Sequence, residues 1–152
     1  MRMSVAWLAL GVAVACTKSS APGDETASAA GSVSESSALV GPRWRLVELE
    51  GQPSIAGGGA REPHLVFSRT EGVDRVGGAT GCNSMGGRYE IDGDRISISE
   101  LISTKMACVE EDRMAQETRF VGALQRADRY AISGDTLTLS AGDQVVARFA
   151  RS

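Results

Sequence analysis

Beyond residue 90 the sequence contains three Gly-Asp pairs, at positions 93–94, 134–135 and 142–143, and each lies between short runs of alternating apolar and polar residues. A tight glycine turn between two such runs is a strong local signal for a β-hairpin, because glycine supplies the backbone conformation that a short turn requires. These pairs predict that the C-terminal part of the chain folds largely as antiparallel strands.

Alternating apolar residues extend the strand pattern toward the N-terminal side. Leu65 and Phe67 lie two residues apart in HLVFS, as in a half-buried strand, and Trp44 and Leu46 have the same spacing in RWRLVELEG. Further strands are predicted at residues 73–80, 130–132, 136–139 and 145–149, and a hairpin is predicted from residues 89–91 and 96–98.

One segment, residues 110–127, has helical periodicity. Met114, Glu117, Val121 and Leu124 form one stripe at helical spacing, with Phe120 beside it. Acidic residues crowd the start of the segment, where they favour the positive end of the helix dipole. Strands joined by tight turns, with one amphipathic helix, predict an α+β domain in which the helix covers one opening or face of a curled, mainly antiparallel sheet.

The N-terminal residues have the pattern of a bacterial export signal. Arg2 precedes an apolar run that is too short to span a bilayer, and the small residue Ala15 is followed by Cys16. This arrangement resembles the lipobox of bacterial lipoproteins, in which the cysteine becomes the lipid-modified first residue of the mature chain. We therefore expect a signal peptide at residues 1–15 and a lipid anchor at Cys16. The alternative is an ordinary signal peptide, with Cys16 left as a free thiol.

A lipidated Cys16 predicts a protein of the bacterial cell envelope that is anchored to a membrane and faces the periplasm. Thr17 follows the cysteine, and in enterobacterial sorting this permits transfer to the outer membrane. Residues 16–39 are rich in Ser, Ala and Gly and predict a flexible tether, which leaves residues 40–152 for one compact domain. The formal net charge of −3 gives no electrostatic footprint for nucleic acid.

The two remaining cysteines, Cys82 and Cys108, allow three interpretations. Thiol catalysis needs a base, and the single histidine, His64, begins a strand, where an exposed edge position is expected. A zinc site is disfavoured because the cysteines lack short paired spacings. A disulfide suits an exported chain, and closing a loop of roughly 27 residues stabilises by ~3–4 kcal/mol. We therefore predict a Cys82–Cys108 disulfide, and neither a metal nor another cofactor.

Glycines surround Cys82 in the segment TGCNSMGG. Gly77, Gly78 and Gly81 are expected to allow sharp backbone paths beside the crosslink, and Gly86-Gly87 to permit a left-handed turn. Asn83 is expected to hold its turn through the side-chain amide. Together with Thr104 and Met106, Gly81 and Asn83 are predicted to form a structural motif.

Several motifs occur in an order that resembles the META domain, also called the HslJ-like family of bacterial envelope proteins. The matching residues are Trp44, Leu46, Gly78, Gly81, Cys82, Asn83, Gly87, Tyr89, Thr104, Met106, Ala107, Cys108, Glu117, Phe120, Leu124, Ile132, Gly134, Leu137 and Leu139. The resemblance covers nearly the whole globular part. It implies a small, curled, barrel-like sheet with a helix, and a link to stress tolerance, motility or virulence. It implies no agreed reaction and no catalytic residues.

These observations predict a non-enzymatic, lipid-anchored envelope protein that acts as a binding or assembly module. Besides the membrane that holds its anchor, its expected partner is another envelope protein, a peptide or a hydrophobic ligand at an open end or edge of the sheet. The alternative is a secreted inhibitor of a hydrolase such as a protease or lysozyme, with the loop around residues 55–61 as its contact. A third class, an enzyme, requires an acid-base pair that the sequence does not offer.

Overall fold

The computed structural model of the protein describes residues 36–56, 61–106 and 109–152. After a helical turn at residues 36–39, the chain forms nine strands and one long helix. The strands are β1 (Arg43–Leu49), β2 (Gln52–Pro53), β3 (His64–Thr70), β4 (Val73–Ala79), β5 (Ser84–Asp92), β6 (Arg95–Ser103), β7 (Arg129–Ser133), β8 (Thr136–Ala141) and β9 (Gln144–Arg151). The long helix, α1, spans Glu111–Arg126.

The strands form one antiparallel sheet that closes on itself. The order is β2-β1-β3-β4-β5-β6-β7-β8-β9, and β1 also pairs with β9. Eight strands therefore form a ring, and the two-residue strand β2 continues the pairing at the end of β1. The α+β class and the curled, mainly antiparallel sheet predicted from the sequence are confirmed.

All three Gly-Asp pairs form the loops of hairpins. The residues that flank them pair directly, as Asp92 with Arg95, Ser133 with Thr136, and Ala141 with Gln144. Each glycine has a positive φ, of 62° at Gly93, 57° at Gly134 and 58° at Gly142. A two-residue hairpin loop needs this left-handed conformation, so the turn chemistry of the sequence sets the register of five strands, β5 to β9.

The ring has one weak junction, between β6 and β7, and α1 packs beside it. Only Arg95 and Arg129 are paired between these two strands, and α1 packs against β6, β9, β1 and β8. Phe120 of α1 is fully buried and lies 6.0 Å from Phe149, centroid to centroid. The helix thus contributes buried side chains to the core beside the weakly paired junction of β6 and β7.

The buried face of α1 differs from the predicted stripe. Gln116, Phe120, Ala123 and Leu124 are buried, whereas Met114 is 49% exposed. The predicted stripe is therefore wrong at Met114. The polar residue Gln116, which the predicted stripe does not contain, is buried instead.

The packed domain includes Leu39, which is fully buried and whose carbonyl accepts a hydrogen bond from Trp44 Nε1 at 3.0 Å. The predicted signal peptide, Cys16 and most of the tether lie outside the described residues, so the lipid anchor stays a prediction. Within the described ranges, α1 and the helical turn before β1 are both too short or too polar to cross a membrane.

Candidate functional site

The turn between β4 and β5 is closed by Thr80 and by the backbone of Asn83. The amide and the hydroxyl of Thr80 both donate to the carbonyl of Asn83, at 2.8 and 3.1 Å. The amide of Asn83 donates back to Thr80 Oγ1 at 3.3 Å. The expectation that the side-chain amide of Asn83 holds this turn is therefore wrong, since Thr80 performs that role and leaves the amide group to other partners.

The side chain of Asn83 instead forms hydrogen bonds with both the backbone amide and the backbone carbonyl of Met106. Asn83 Oδ1 accepts from the amide of Met106 at 2.7 Å, and Nδ2 donates to the Met106 carbonyl at 3.3 Å. Oδ1 also accepts from Thr104 Oγ1 at 2.8 Å, and Nδ2 donates to the carboxylate of Glu117 at 2.8 and 3.0 Å. Asn83 is 5% exposed, so one buried amide joins the β4–β5 turn, the segment after β6 and α1.

A second amide, on the helix itself, repeats this geometry. Gln116, 1% exposed, accepts from the amide of Ile55 through Oε1 at 2.6 Å. Its Nε2 donates to the carbonyl of Ile55 at 3.0 Å. We call these two arrangements the Asn83 clamp and the Gln116 clamp. Gln116 was not predicted as a site residue. Its position four residues before Phe120 places both on one face of the helix, and this spacing was the available signal for a buried polar contact.

Both clamps hold the backbone of a residue whose apolar side chain is exposed. Ile55 is 38% exposed and Met106 is 51% exposed. Met114 and Val109 lie in or just before the first turn of α1 and are also exposed. We name these four residues the helix-start surface; among the described residues, only one other large apolar side chain, Ile102, is as exposed.

A cavity of about 140 Å³ lies beside Met106 and Val109 of this surface and is also lined by Cys82. Its walls include Gly81, Met106, Val109 and Arg113. Cys82 is half-buried and disulfide-bonded. Cys108 lies outside the described residues, so the predicted Cys82–Cys108 pairing stays a prediction. Gly81 has φ +119°, a conformation that other residues rarely adopt, which is consistent with its predicted structural role.

His64 is not at an exposed edge. It pairs with Arg45 of β1 and with Ala79 of β4, so it lies inside the sheet and is half-buried. Its Nδ1 lies 2.7 Å from the carbonyl of Glu62. The edge prediction is wrong because β3 pairs with β1 on one side and with β4 on the other.

Gly86 and Gly87 do not form a left-handed turn, since both lie within β5. Gly87 is required by close packing instead. A Cβ there would lie 2.7 Å from the carbonyl oxygen of Ser99 and 2.8 Å from the side chain of Leu101. The register of β5 and β6 shifts between Gly86 and Arg88, and this irregularity brings the two backbones together.

A charged cluster lies where β3 and β4 meet. Arg69 binds both carboxylate oxygens of Asp74, at 2.5 and 2.8 Å. This hydrogen bonding lowers the pKa of Asp74 below its usual range. Burial raises the pKa of the nearby Tyr89 hydroxyl, and the charge of Asp74 adds to the shift. Tyr89 also packs edge-on against Phe67, with centroids 5.1 Å apart, so this cluster borders the core.

No group of three or more histidine, cysteine or acidic side chains is arranged to hold a metal ion within residues 36–56, 61–106 and 109–152. The polar motif residues bind one another: Asn83 engages Thr104 and Glu117, and Thr104 Oγ1 accepts from the amide of Ser84 at 3.2 Å. The polar residues of the motif thus hold the backbone of Met106 in place and leave its apolar side chain exposed.

A small α+β domain with a closed antiparallel sheet, one helix and a buried asparagine clamp defines the class of this protein. The chain belongs to the META domain family, whose profile matches residues 37–152. The residues that carry the resemblance in the sequence, among them Asn83, Thr104, Met106 and Glu117, meet in the Asn83 clamp.

Solved structures share the fold. A protein from Burkholderia xenovorans, determined by NMR, is 21% identical with a TM-score of 0.62, and the match covers 93% of this chain and 99% of that one. A DUF4847 family protein from Bacteroides vulgatus is 17% identical with a TM-score of 0.51, covering 74% of this chain and 93% of that one. Another NMR structure is 18% identical with a TM-score of 0.59, covering 75% and 92%. Among curated proteins, none matches this sequence.

Proposed function

We propose that the protein is a non-enzymatic, lipid-anchored binding or assembly module of the bacterial cell envelope, and that the helix-start surface is its contact surface. One observation carries the proposal. The backbone of Met106 is fixed at both its amide and its carbonyl by Asn83, while its side chain is 51% exposed. Among the described residues, Met106 does not belong to the buried core, so the core does not account for an apolar side chain there.

Fixed backbone beneath an exposed apolar side chain favours binding. Association costs free energy for each flexible group that becomes ordered, and a contact residue whose backbone is already held avoids part of that cost. Methionine fills irregular gaps and packs against varied partners, so Met106 and Met114 suit an apolar contact. The cavity of about 140 Å³ between Met106 and Val109 has room for one apolar side chain of a partner.

The polar residues of the motif support a binding role over a catalytic one. The Asn83 amide uses its oxygen for two donors and its nitrogen for the Met106 carbonyl and the Glu117 carboxylate. A side chain with its hydrogen-bonding capacity used in this way is a positioning group. A lipid anchor at Cys16 would add avidity, because a tethered domain meets membrane-bound partners at high effective concentration.

Site-specific photo-crosslinking in cells that express the full chain tests the contact surface. A photoreactive phenylalanine analogue at Met106 should give a reproducible adduct, and the same analogue at Glu71, in the exposed β3–β4 turn, should give none. The adduct at position 106 should disappear when Ile55 is changed to Asp. Equal adducts at both positions, or none at either, would remove the proposal.

The anchor is tested separately by metabolic labelling with an alkyne-tagged fatty acid. The wild-type chain should carry the label and the Cys16→Ser chain should not. Label on both chains, or on neither, contradicts lipidation at Cys16 without bearing on the helix-start surface.

A second candidate function, inhibition of a secreted hydrolase, draws on the Gln116 clamp. Ile55 is held by both backbone groups at the start of the segment that the sequence analysis named as an inhibitory loop. Rigid, exposed loop residues are what an inhibitor presents to a cleft. If micromolar protein inhibits a protease or lysozyme and Ile55→Asp abolishes that inhibition, the contact belongs to an inhibitor.

A further inference from the structure

The outer face of the sheet contains two glycines at which a side chain would fit. Gly77 of β4 and Gly86 of β5 pair directly across the two strands. Neither has a positive φ, and a Cβ on either would meet only a backbone oxygen, at 3.8 and 3.9 Å. These are ordinary van der Waals distances, so larger residues fit at both positions.

Two other glycines in the same strands are unlike this pair. A Cβ at Gly78 would lie 2.0 Å from the carbonyl oxygen of His64, and one at Gly87 would lie 2.7 Å from that of Ser99. Packing therefore explains Gly78 and Gly87. Glycine inside a strand weakens it, and it marks a bulge, a tight bend, or the close approach of a ligand or of another backbone. The register shift beside Gly86 belongs to the β5–β6 ladder, whereas the β4–β5 ladder that pairs Gly77 with Gly86 is regular, so we interpret this pair as a place of ligand approach.

Arginines stand beside this bare patch of backbone. Arg75 and Arg88 pair directly across β4 and β5, and like charges in that position repel each other. Glu100 forms an ion pair with Arg88 at 3.0 Å. Among the described residues, no carboxylate forms an ion pair with Arg75, so the patch has an excess of positive charge.

An apolar residue borders the other side. Ile102 of β6 pairs with Gly86 and is 75% exposed. The two glycines, the two arginines and Ile102 line one groove of about 370 Å³, a volume within the usual range for small-molecule sites of about 300–1,000 Å³. We name it the glycine groove.

We propose that the glycine groove binds a small organic anion with a flat apolar body. The bare backbone of Gly77 and Gly86 forms a flat floor, on which a ring system lies without meeting a side chain. The anionic group of the ligand binds Arg75 and Arg88, and one edge of the ring contacts Ile102. This site is separate from the helix-start surface, and its existence does not depend on the function proposed for that surface.

The test uses naphthalene-2-sulfonate as the probe and the full chain, with binding followed through the NMR signals of the Arg75 and Arg88 amides. The probe should shift both signals to saturation, and added salt should weaken binding because the arginines are exposed. Sulfate alone and neutral 2-naphthalenemethanol should each bind about tenfold more weakly or worse, since each lacks half of the recognised chemistry.

Two substitutions separate binding from folding. Gly86→Val places a side chain on the floor and should weaken probe binding by about tenfold or more, while the β-branched residue keeps or raises the melting temperature. Arg75→Gln should weaken binding by about tenfold through loss of a charge-assisted hydrogen bond. The controls are Thr138→Val on β8 and Arg119→Gln on α1, which lie outside the groove and should leave binding unchanged.

Three results would overturn the proposal. The first is probe binding by Gly86→Val at wild-type strength, which would mean that the floor is not used. The second is equal binding of sulfate or of the neutral alcohol, which would mean that the site recognises only charge or only an apolar surface. The third is no saturable shift of the Arg75 and Arg88 amides at millimolar probe.

Discussion

The Asn83 clamp and the Gln116 clamp have the same local geometry but different surroundings. In each, one buried amide accepts from the amide and donates to the carbonyl of a single residue whose side chain is exposed. Asn83 also binds Thr104 and Glu117, so its clamp joins three segments of the chain. Gln116 binds Ile55 alone and joins two segments.

Because the Asn83 clamp joins more segments, its loss should destabilise the protein more than loss of the Gln116 clamp. When an amide that binds three residues is removed, each of them loses a hydrogen bond. When an amide that binds one residue is removed, fewer hydrogen bonds are lost.

Asn83→Ala should lower the free energy of unfolding by about 3 kcal/mol or more, because it leaves Met106, Thr104 and Glu117 without their shared partner. Urea denaturation measures the loss. A loss below about 1 kcal/mol would mean that the network adds little beyond a single hydrogen bond.

The pH dependence of the stability of Asn83→Asp tests the contact between residue 83 and Glu117. It keeps the acceptor for the Met106 amide but places a carboxylate against Glu117, and two carboxylates that share a site raise the pKa of one of them. A folded-state pKa raised above the unfolded value means that stability is present at low pH and is lost as the pH rises through the folded pKa. Asn83→Asp should therefore gain stability relative to wild type as the solution is acidified. A constant difference across the pH range would contradict the Asn83–Glu117 contact.

Gln116→Met should cost about 1 kcal/mol, since it preserves volume in the buried face of α1 and removes only the contacts to Ile55. Urea denaturation measures the loss in the free energy of unfolding, and hydrogen exchange shows which amides lose protection. Exchange should accelerate at the Ile55 amide and stay unchanged at the Met106 amide. Faster exchange at both amides would mean that the two clamps form one unit.

Asp74→Asn tests electrostatics away from both clamps. The hydrogen bonds from Arg69 lower the pKa of Asp74 in the folded state, so its contribution is present above the ordinary carboxyl pKa and is lost as the pH falls through the lower folded value. The substitution should destabilise modestly at neutral pH, and its effect should fade below about pH 4, where wild type loses the same interaction. An effect of equal size at all pH values would show that the charge of Asp74 is not its cause.

Met106→Ala should have the smallest effect on stability, within about 0.5 kcal/mol, because its side chain is half exposed and the clamp uses only its backbone. If the helix-start surface binds a partner, the same change should still abolish an adduct formed from a photoreactive residue at Val109. A large loss of stability would show instead that Met106 belongs to the core.

Part of the fold was predictable because its signals are local. The glycine turns at residues 93, 134 and 142 and the alternating residues around them define five strands, and the segment 110–127 has a helical period. The buried face of that helix was not predictable from its own pattern. Gln116 is buried because Ile55, distant in sequence, supplies a matching donor and acceptor.

The candidate site was predictable in its residues but not in its geometry. Asn83, Thr104 and Met106 were recognised as one motif, yet the turn is held by Thr80 and the amide of Asn83 reaches across to residue 106. His64 and Gly87 were misplaced for a related reason. Their environments are set by β1 and β6, which reach them only when the sheet pairs.

The sequence by itself determined where strands and helix form, because hairpin turns and side-chain periodicity depend on residues a few positions apart. The tertiary structure decided the closure of the ring by β1 and β9, the meeting of Asn83 with Met106 and Glu117, and the bare floor between Arg75 and Ile102. These features join segments that lie far apart in the chain. Such contacts form only when the whole sheet closes, so no local pattern specifies them.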